Sequence, residues 1–317
     1  MNALAAVAVS VIIPVYNEQE VLPKLFARLY PALDALKISY EVIFVDDGSR
    51  DRSHGLLREQ YETRPDCTRV ALLRFNAGQH LAILAGFELA RGGRVVTLDA
   101  DLQNPPEQIG RVLEAMDAGA DLVGTIRLRR HDSAWRRWGS RLMNKVRHAT
   151  TNIRITDQGC MLRAYDRSIV DLVNECHETA TFVPALAYGF ARAPVEIEIP
   201  HEERAGGTSK YSLYKLIRLN FDLMTGFSLV PLQLVSMSGI VISLLSLLFV
   251  IALIIRRIVI GPEVEGVFTL FGIVFFLIGV LLMAVGLIGE YVGRVYQQVR
   301  SRPRYMVATL WEGSPRA

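Results

Sequence analysis

The segment Val95–Glu107 reads VVTLDADLQNPPE. A short apolar and β-branched run stops at two carboxylates, Asp99 and Asp101, set one residue apart ahead of a polar turn and two prolines. Such a run fits a buried strand. A strand ending in paired carboxylates either shapes a turn or delivers charge to a crevice, and this spacing by itself leaves both open.

The flanking sequence decides the fold around it. Val7–Val15 and Tyr40–Val45 are further apolar, β-branched runs, and between them Glu18–Leu36 carries Val21, Leu22, Leu25, Leu29, Leu33 and Leu36 at helical spacing. The alternation continues as strand Arg69–Leu73, helix Gly78–Ala90, strand Arg94–Leu98, helix Glu107–Met116 and strand Asp121–Gly124. Continuous apolar strands alternating with helices predict an α/β, doubly wound sheet covered on both faces. Ligands of such sheets bind beyond the carboxyl ends of the strands. Polar clusters stand at those ends: Tyr16-Asn17-Glu18, Asp46-Asp47-Gly48-Ser49, Asn76 to His80, and Asp99 to Asn104.

No G-x-G-x-x-G follows the first strand and no phosphate-loop lysine motif follows any of them, which disfavours a dehydrogenase or a phosphate-loop NTPase. Carboxylates at strand ends suit a ribose, a base edge, or a divalent cation held on phosphates. Asp99, Asp101 and Gln103 recur at every second position, so extended backbone can aim them to one side, where hard oxygens suit Mg²⁺ or Mn²⁺. Gly48 permits a tight turn after Asp46 and Asp47, and Ser49 or Asp51 can cap the helix that follows.

The 317 residues are 51% hydrophobic with a net charge of +3, and the apolar residues concentrate near the C-terminus. Val230–Ile255 and Val267–Gly289 carry no charge, and each exceeds the roughly 20 residues that cross about 30 Å of hydrocarbon as a helix. Two transmembrane helices joined by a hairpin at Arg256–Gly266 put both chain ends on one side. The N-terminus has no basic region or cleavage site of a signal peptide, so that side is expected to be cytoplasmic. Lys210, Lys215 and Arg218 before the first span and Arg294, Arg300, Arg302 and Arg304 after the second agree, while Arg256 and Arg257 in the hairpin weaken the bias. Cys67, Cys160 and Cys176 lack metal-ligand spacing and suit a reducing compartment.

Taken together, SVIIPVYNE, VDDGSRDRS, RFNAGQHLAILAGF and LDADLQNPPE, then DQGCMLRAYDR, HEERAGGTSKYS, the membrane hairpin and GEYVGRVYQQVRSRPRY, resemble the family 2 glycosyltransferases of the GT-A fold, and within them the polyprenyl-phosphate type. RFNAGQH, DQGCMLRAY and CHETATFVP resemble the branch that handles 4-deoxy-4-formamido-L-arabinose in lipid A modification and polymyxin resistance.

That resemblance implies a GT-A domain over 1–208, a juxtamembrane amphipathic helix over 209–229, two transmembrane helices within 230–290 (230–255 and 267–289) and a cytoplasmic tail over 291–317. It implies an inverting, metal-dependent enzyme of a bacterial inner membrane. A UDP-sugar would be held by Pro14, Tyr16, Glu18, Asp46, Asp47, Asn76, Gln79 and Asp99. The cation would sit among Asp99, Asp101 and Gln103, with Asp101 and Asp157 catalytic and undecaprenyl phosphate as acceptor. In the related pattern Arg127, Arg136 and Ser140 contact the lipid phosphate; independently of it, the glycines of Glu203–Tyr211 permit tight backbone approach and Arg204, Ser209 and Lys210 supply donors, a second candidate anion site. The resemblance also implies a homotetramer.

Each assignment has a plainer counterpart. Asp157 in Thr156-Asp157-Gln158-Gly159 can be an Asx turn, and the glycines of Glu203–Tyr211 can be linker. The basic, aromatic stretch at 127–145 superficially suits nucleic acid, but its place before a membrane region favours lipid headgroups, and no nucleic acid is expected. His80, His177 and His201 have no zinc spacing. The absence of Q-x-x-R-W disfavours a processive synthase. A hexosyltransferase for surface polysaccharide and a nonenzymatic nucleotide-sugar sensor remain as alternatives.

Overall fold

The computed structural model describes residues 7–127, 155–157, 159–176, 182–200, 202, 230–261, 267–299 and 303–313. The sheet unit opens with β1 (Val9–Val15), α1 (Leu22–Ala35), β2 (Tyr40–Asp46), α2 (Ser53–Thr63), β3 (Thr68–Leu73), α3 (Gln79–Leu89) and β4 (Arg94–Thr97). A 3₁₀ turn (Pro106–Gln108), α4 (Ile109–Asp117), β5 (Leu122–Arg127), β6 (Arg163–Asp166), α5 (Arg167–Glu175), α6 (Val183–Phe190) and β7 (Pro194–Ile199) follow. Every strand and helix predicted before residue 125 is present, with ends moved by a few residues where caps and turns take over.

The eight described strands form one sheet in the order β7-β5-β6-β4-β1-β2-β3-β8, where β8 is Val307–Glu312. The central β4-β1-β2-β3 block is parallel, while β6 pairs antiparallel with β4 and β8 antiparallel with β3. The sheet is therefore mixed. Parallel order in the middle brings the carboxyl ends of four strands to one edge, and the chain's direction of winding reverses between β1 and β4. That reversal creates the crevice at which ligands of doubly wound sheets bind.

The strands read as continuous apolar runs because both faces are covered. Val11, Ile13, Val42, Phe44, Val70 and Val96 are buried with Leu22, Leu25, Leu29 and Leu33 of α1 and Ile109, Val112 and Met116 of α4. Each such side chain contributes roughly 1.5–3 kcal/mol by leaving water. On the other face α3 lies so close to β1 that a Cβ on Gly86 would stand 2.4 Å from Ile12 Cγ2.

At the amino end of the strands a buried ion network ties β8 to the sheet. Arg69 Nη1 donates to Glu41 at 3.0 Å and its Nη2 to Glu312 at 2.9 Å, while Arg91 also reaches Glu312 at 2.7 Å. Glu41 is further fixed by the Ser10 hydroxyl at 2.6 Å and the Arg91 amide at 2.7 Å. Arg304 donates to the Cys176 carbonyl, and the Arg74 amide donates to the Met306 carbonyl at 2.9 Å.

Beyond residue 290 the chain continues in helix to Val299, and Val307–Glu312 supplies the edge strand β8. The compact sheet unit accordingly takes in 302–317 as well as 1–144 and 152–212.

The second unit contains α7 (Val230–Ile260) and α8 (Val267–Val299), which contact each other. Both extend beyond the uncharged runs at 230–255 and 267–289. Leu234, Leu248, Phe275 and Leu282 are among many large apolar side chains exposed along them. Ile273–Gly293 is long and apolar enough to cross a membrane, and Leu232–Ile242 is a shorter apolar stretch.

Candidate active site

Two loops at the crevice lock together before any ligand is considered. The Asn17 amide donates to Ser49 Oγ at 3.0 Å, the Glu18 amide to Ser53 Oγ at 2.9 Å and the Gln19 amide to Asp51 Oδ2 at 3.2 Å. In return the Arg50 amide donates to Asn17 Oδ1 at 2.8 Å and the Arg52 amide to Gln19 Oε1 at 3.0 Å. Asn17 takes φ 55°, a left-handed conformation that asparagine tolerates. Burial pushes the Asp51 carboxyl up, yet the Ser53 hydroxyl and the amides of Ser53 and Gln19 outweigh it and hold the group below its usual range. These contacts fix Pro14, Tyr16 and Glu18 at the end of β1, with Tyr16 exposed.

Asp46 and Asp47 have separate tasks. Asp46 Oδ1 accepts from the Ser49 amide at 2.9 Å, which closes the turn through Gly48 at φ 73°. A Cβ on Gly48 would meet backbone atoms of Phe75 and Asn76 at 3.0 Å. Asp47 is buried, and its two oxygens accept from the Ala77 amide at 2.7 Å and the Gly78 amide at 2.9 Å. Burial raises its pKa despite those two donors, and neighbouring Asp46 adds to the rise.

The clamp on residues 77 and 78 sets the start of α3. Gln79, first in that helix, donates through Nε2 to Asp99 Oδ1 at 2.5 Å. Asn76 is exposed beside it. Asp101 Oδ1 accepts from the Gln103 amide at 3.1 Å, so the aspartate does shape the turn. Between them Leu102 is buried at φ 60°. A bulky side chain in the left-handed region is strained, and such residues cluster at functional sites. Gln103 is partly exposed and its carbonyl accepts from the Glu202 amide at 3.0 Å.

Asp157 is buried and its Oδ1 accepts from the Gly159 amide at 3.1 Å, so the Asx turn is real. Its carbonyl accepts from Arg163 Nη2 at 2.7 Å; Arg163, 1% exposed, also donates through Nε to the Cys160 carbonyl at 3.0 Å. Cys160 hydrogen-bonds Asn104 Oδ1 at 3.2 Å, and burial raises its thiol pKa. The Asp157 loop is thereby joined to the turn that carries Asp99 and Asp101.

Of the expected acceptor residues, Arg127 ends β5. Arg136, Ser140, Arg204, Ser209 and Lys210 lie outside the described residues, as do His177, His201 and the juxtamembrane helix. Among the described residues no group of three His, Cys, Asp or Glu side chains could by itself hold a metal ion.

Residues 10–173 match the model of glycosyl transferase family 2. The chain belongs to that family. Among similar proteins, the undecaprenyl-phosphate 4-deoxy-4-formamido-L-arabinose transferase of Edwardsiella ictaluri is 51% identical over 95% of this family 2 glycosyltransferase and 94% of its own length. The protein of that name from Pseudomonas fluorescens is 48% identical over 98% of this chain and 91% of its own.

Solved structures share the GT-A fold at low identity. A mycobacterial protein superposes with TM-score 0.52 at 19% identity, covering 70% of this chain and 74% of its own. Mycobacterium tuberculosis glucosyl-3-phosphoglycerate synthase, in complex with Mn²⁺, UDP-glucose and phosphoglyceric acid, gives TM-score 0.50 at 16% identity over 70% and 79%.

Sequence reasoning named Asn17, Ser49 and Asp51 only as members of polar clusters or as helix caps, and missed Gln19, Ser53 and the pairing of the two loops. Their signal was available as matched polar residues in two loops after adjacent parallel strands, but nothing in one loop's sequence names its partner.

Proposed function

We propose that this family 2 glycosyltransferase transfers 4-deoxy-4-formamido-L-arabinose, with inversion, from its UDP conjugate to undecaprenyl phosphate, the step that supports lipid A modification and polymyxin resistance. Identity near one half over almost the full length of relatives carrying that name is the observation that carries the reading.

The site geometry agrees with it. Pro14, Tyr16, Glu18, Asp46, Asn76 and Gln79 lie at or just beyond the carboxyl ends of β1, β2 and β3, where ligands of such sheets bind, and in this reading they would meet the nucleotide while Asp47 holds the Ala77–Gly78 backbone. Asp99 and Asp101, with Gln103, offer hard oxygens suited to Mg²⁺ or Mn²⁺. An ion held there would share its shell with the donor diphosphate, as expected where metal and UDP-sugar bind together. Such an ion would supply charge neutralisation to the departing diphosphate.

A phosphate monoester has its second pKa near about 6, so the acceptor is already largely ionised at neutral pH. Its oxygen attacks the anomeric carbon, forming the new C–O bond as the bond to UDP breaks. No strong base is required. Asp157, whose carboxylate and carbonyl both serve the turn around it, positions that turn against the donor rather than removing a proton. Arg127, Arg136, Ser140, Arg204, Ser209 and Lys210 supply the cations and donors that a lipid phosphate requires.

The pairing of β8 with β3 supports a two-span, multi-pass anchor in the inner membrane. The chain leaves the sheet unit and returns to the same sheet, so it crosses an even number of times. With Ile273–Gly293 as one crossing, α7 provides the other, and the active site faces the cytoplasm. A homotetramer is the expected assembly, testable by native mass spectrometry.

Incubating the purified chain with undecaprenyl phosphate and a panel of UDP-sugars, then weighing the lipid product, tests the assignment. A product carrying a hexose would replace the sugar. UDP release that is indifferent to lipid phosphate, or absent, would refute the transferase reading in favour of a nucleotide-sugar sensor.

A further inference from the structure

A cavity of about 170 Å³ lies beside the Asp157 turn, over β5, β6 and β7. Leu122, Ile155 and Pro194 give it apolar walls, and Gly124, Arg163 and Glu196 border it as well. Gly124 of β5 pairs with Glu196 of β7. A Cβ on Gly124 would stand 3.2 Å from Arg163 Nη1, 3.4 Å from Glu196 Cγ and 3.7 Å from Glu196 Oε1. The space that this glycine leaves is therefore flanked by a guanidinium and a carboxylate.

Those two charges are held by other partners. Arg163 donates through Nε to the Cys160 carbonyl at 3.0 Å and through Nη2 to the Asp157 carbonyl at 2.7 Å, while Glu196 Oε1 accepts from the Thr156 amide at 2.9 Å. Among the described residues Arg163 and Glu196 form no ion pair, and neither Arg163 Nη1 nor Glu196 Oε2 has a hydrogen-bond partner. Arg163 is buried, so its Nη1 is a donor fixed in place rather than a mobile surface group.

We propose that this cavity binds a small amide group, with the carbonyl oxygen toward Arg163 Nη1 and the N–H toward the Glu196 carboxylate. The charges select the class of ligand. An anion would gain the guanidinium only by approaching a carboxylate across the same narrow space, and a cation would meet the reverse. A neutral group with an acceptor on one side and a donor on the other satisfies both, through charge-assisted hydrogen bonds. An amide carries the two around one planar carbon. The position 3.2 Å from Nη1 is tight for a carbon and ordinary for an oxygen that accepts from an N–H.

Two sources present such a group: the formamido substituent of the donor sugar in the proposed reaction, and a small amide free in solution. Position favours the first, and that part rests on the proposed function. One guanidinium faces the cavity with Nη1 and the Asp157 carbonyl with Nη2, so a single side-chain group separates the cavity from the turn set against the donor.

The test uses the full-length chain in detergent and two variants whose unfolding midpoints confirm that they fold. Gly124→Ala puts a methyl group into the space. Glu196→Gln keeps an oxygen for the Thr156 amide and offers an N–H where the ligand needs an acceptor. N-methylformamide, followed by saturation-transfer NMR, should bind the parent about tenfold more tightly than either variant. The ratio of kcat/KM for UDP-4-deoxy-4-formamido-L-arabinose over UDP-L-arabinose should likewise fall about tenfold in both.

A lowered ratio assigns the cavity to the donor's formamido group; weakened probe binding with an unchanged ratio assigns it to a free amide. Probe binding that is absent, or equal in parent and variants, together with an unchanged ratio overturns the proposal and leaves a cavity that takes water only. If the parent transfers neither sugar, the proposed function fails, and the N-methylformamide arm alone decides the cavity.

Discussion

Replacing Asp47 separates the work of its charge from the work of its hydrogen bonds. Both oxygens accept backbone amides, from Ala77 and Gly78, in a buried setting. Asp47→Ala leaves two amides without their acceptor, at about 1–3 kcal/mol each, so the folded sheet unit should lose about 2–6 kcal/mol. Asp47→Asn keeps one acceptor and turns an N–H toward the other amide. It forfeits one hydrogen bond and gains relief, because burial has raised the carboxyl's pKa and the ionised form is therefore disfavoured in the fold. The net loss for asparagine should be about 1–2 kcal/mol.

The sign of the pH effect follows from the raised pKa. Asp47 contributes most below its unfolded value, near 3.8, and that contribution is lost as pH rises through its higher folded value. Subtracting the pH dependence of Asp47→Asn from that of the parent should therefore reveal a component that weakens as pH rises above the unfolded value. The assay is thermal unfolding of the full chain in detergent followed by tryptophan fluorescence. In parallel, the UDP-sugar KM should rise in the alanine variant, because residues 77 and 78 lead into Gln79 and through it to Asp99. Equal destabilisation by alanine and asparagine, or an alanine variant within about 1 kcal/mol of the parent, would refute the clamp.

Other perturbations read other parts. Asp101→Ala should abolish metal-dependent transfer while the protein stays folded in the membrane, and full activity would remove Asp101 from the metal site. Arg204→Ala should raise the KM for lipid phosphate far more than for the UDP-sugar; equal effects count against an acceptor role. Gly86→Ala forces a Cβ to 2.4 Å from Ile12 Cγ2 and should cost about 1–3 kcal/mol of stability, visible as a lowered midpoint of unfolding. His80 has its pKa lowered to about 4 by burial and by nearby Arg163, so its neutral form stabilises the fold above pH 6.5 and that contribution fades as pH falls toward 4. Unfolding midpoints should drop more steeply over that window in the parent than in His80→Phe, and parallel slopes would contradict the shift.

The central fold was legible because its determinants are local. Apolar runs of strand length, a helix-period repeat between them and polar residues at the strand ends all lie within a few residues of one another, and they specify β1 to β4 with their helices. The paired carboxylates were legible only as alternatives, and the turn is the one the structure displays. Asp101 builds the turn by accepting from Gln103, and Asp99, fixed by Gln79, presents an oxygen-rich rim. What sequence could not supply was the partner of each polar group across the crevice, since Asn17 meets Arg50 and Asp47 meets Ala77 only when parallel strands bring their ends together.

The edge strand β8 shows the same limit at longer range. VATLWE is six residues of mixed polarity lying after a long apolar helix, and its burial pattern is largely exposed, so neither period nor hydropathy marks it. Its place is fixed by nonlocal charge: Glu312 meets Arg69 and Arg91, which lie more than two hundred residues earlier in the chain. Glu312→Ala removes one carboxylate from two guanidiniums and leaves Arg69, 6% exposed, with Glu41 as its remaining acidic partner. Breaking a buried pair costs about 3–5 kcal/mol, and because Glu41 still compensates Arg69 the loss here should fall below that range. Thermal unfolding of the full chain should report the loss as a lowered midpoint, and an unchanged midpoint would show that the Glu312 ion pairs do not hold β8 to the sheet.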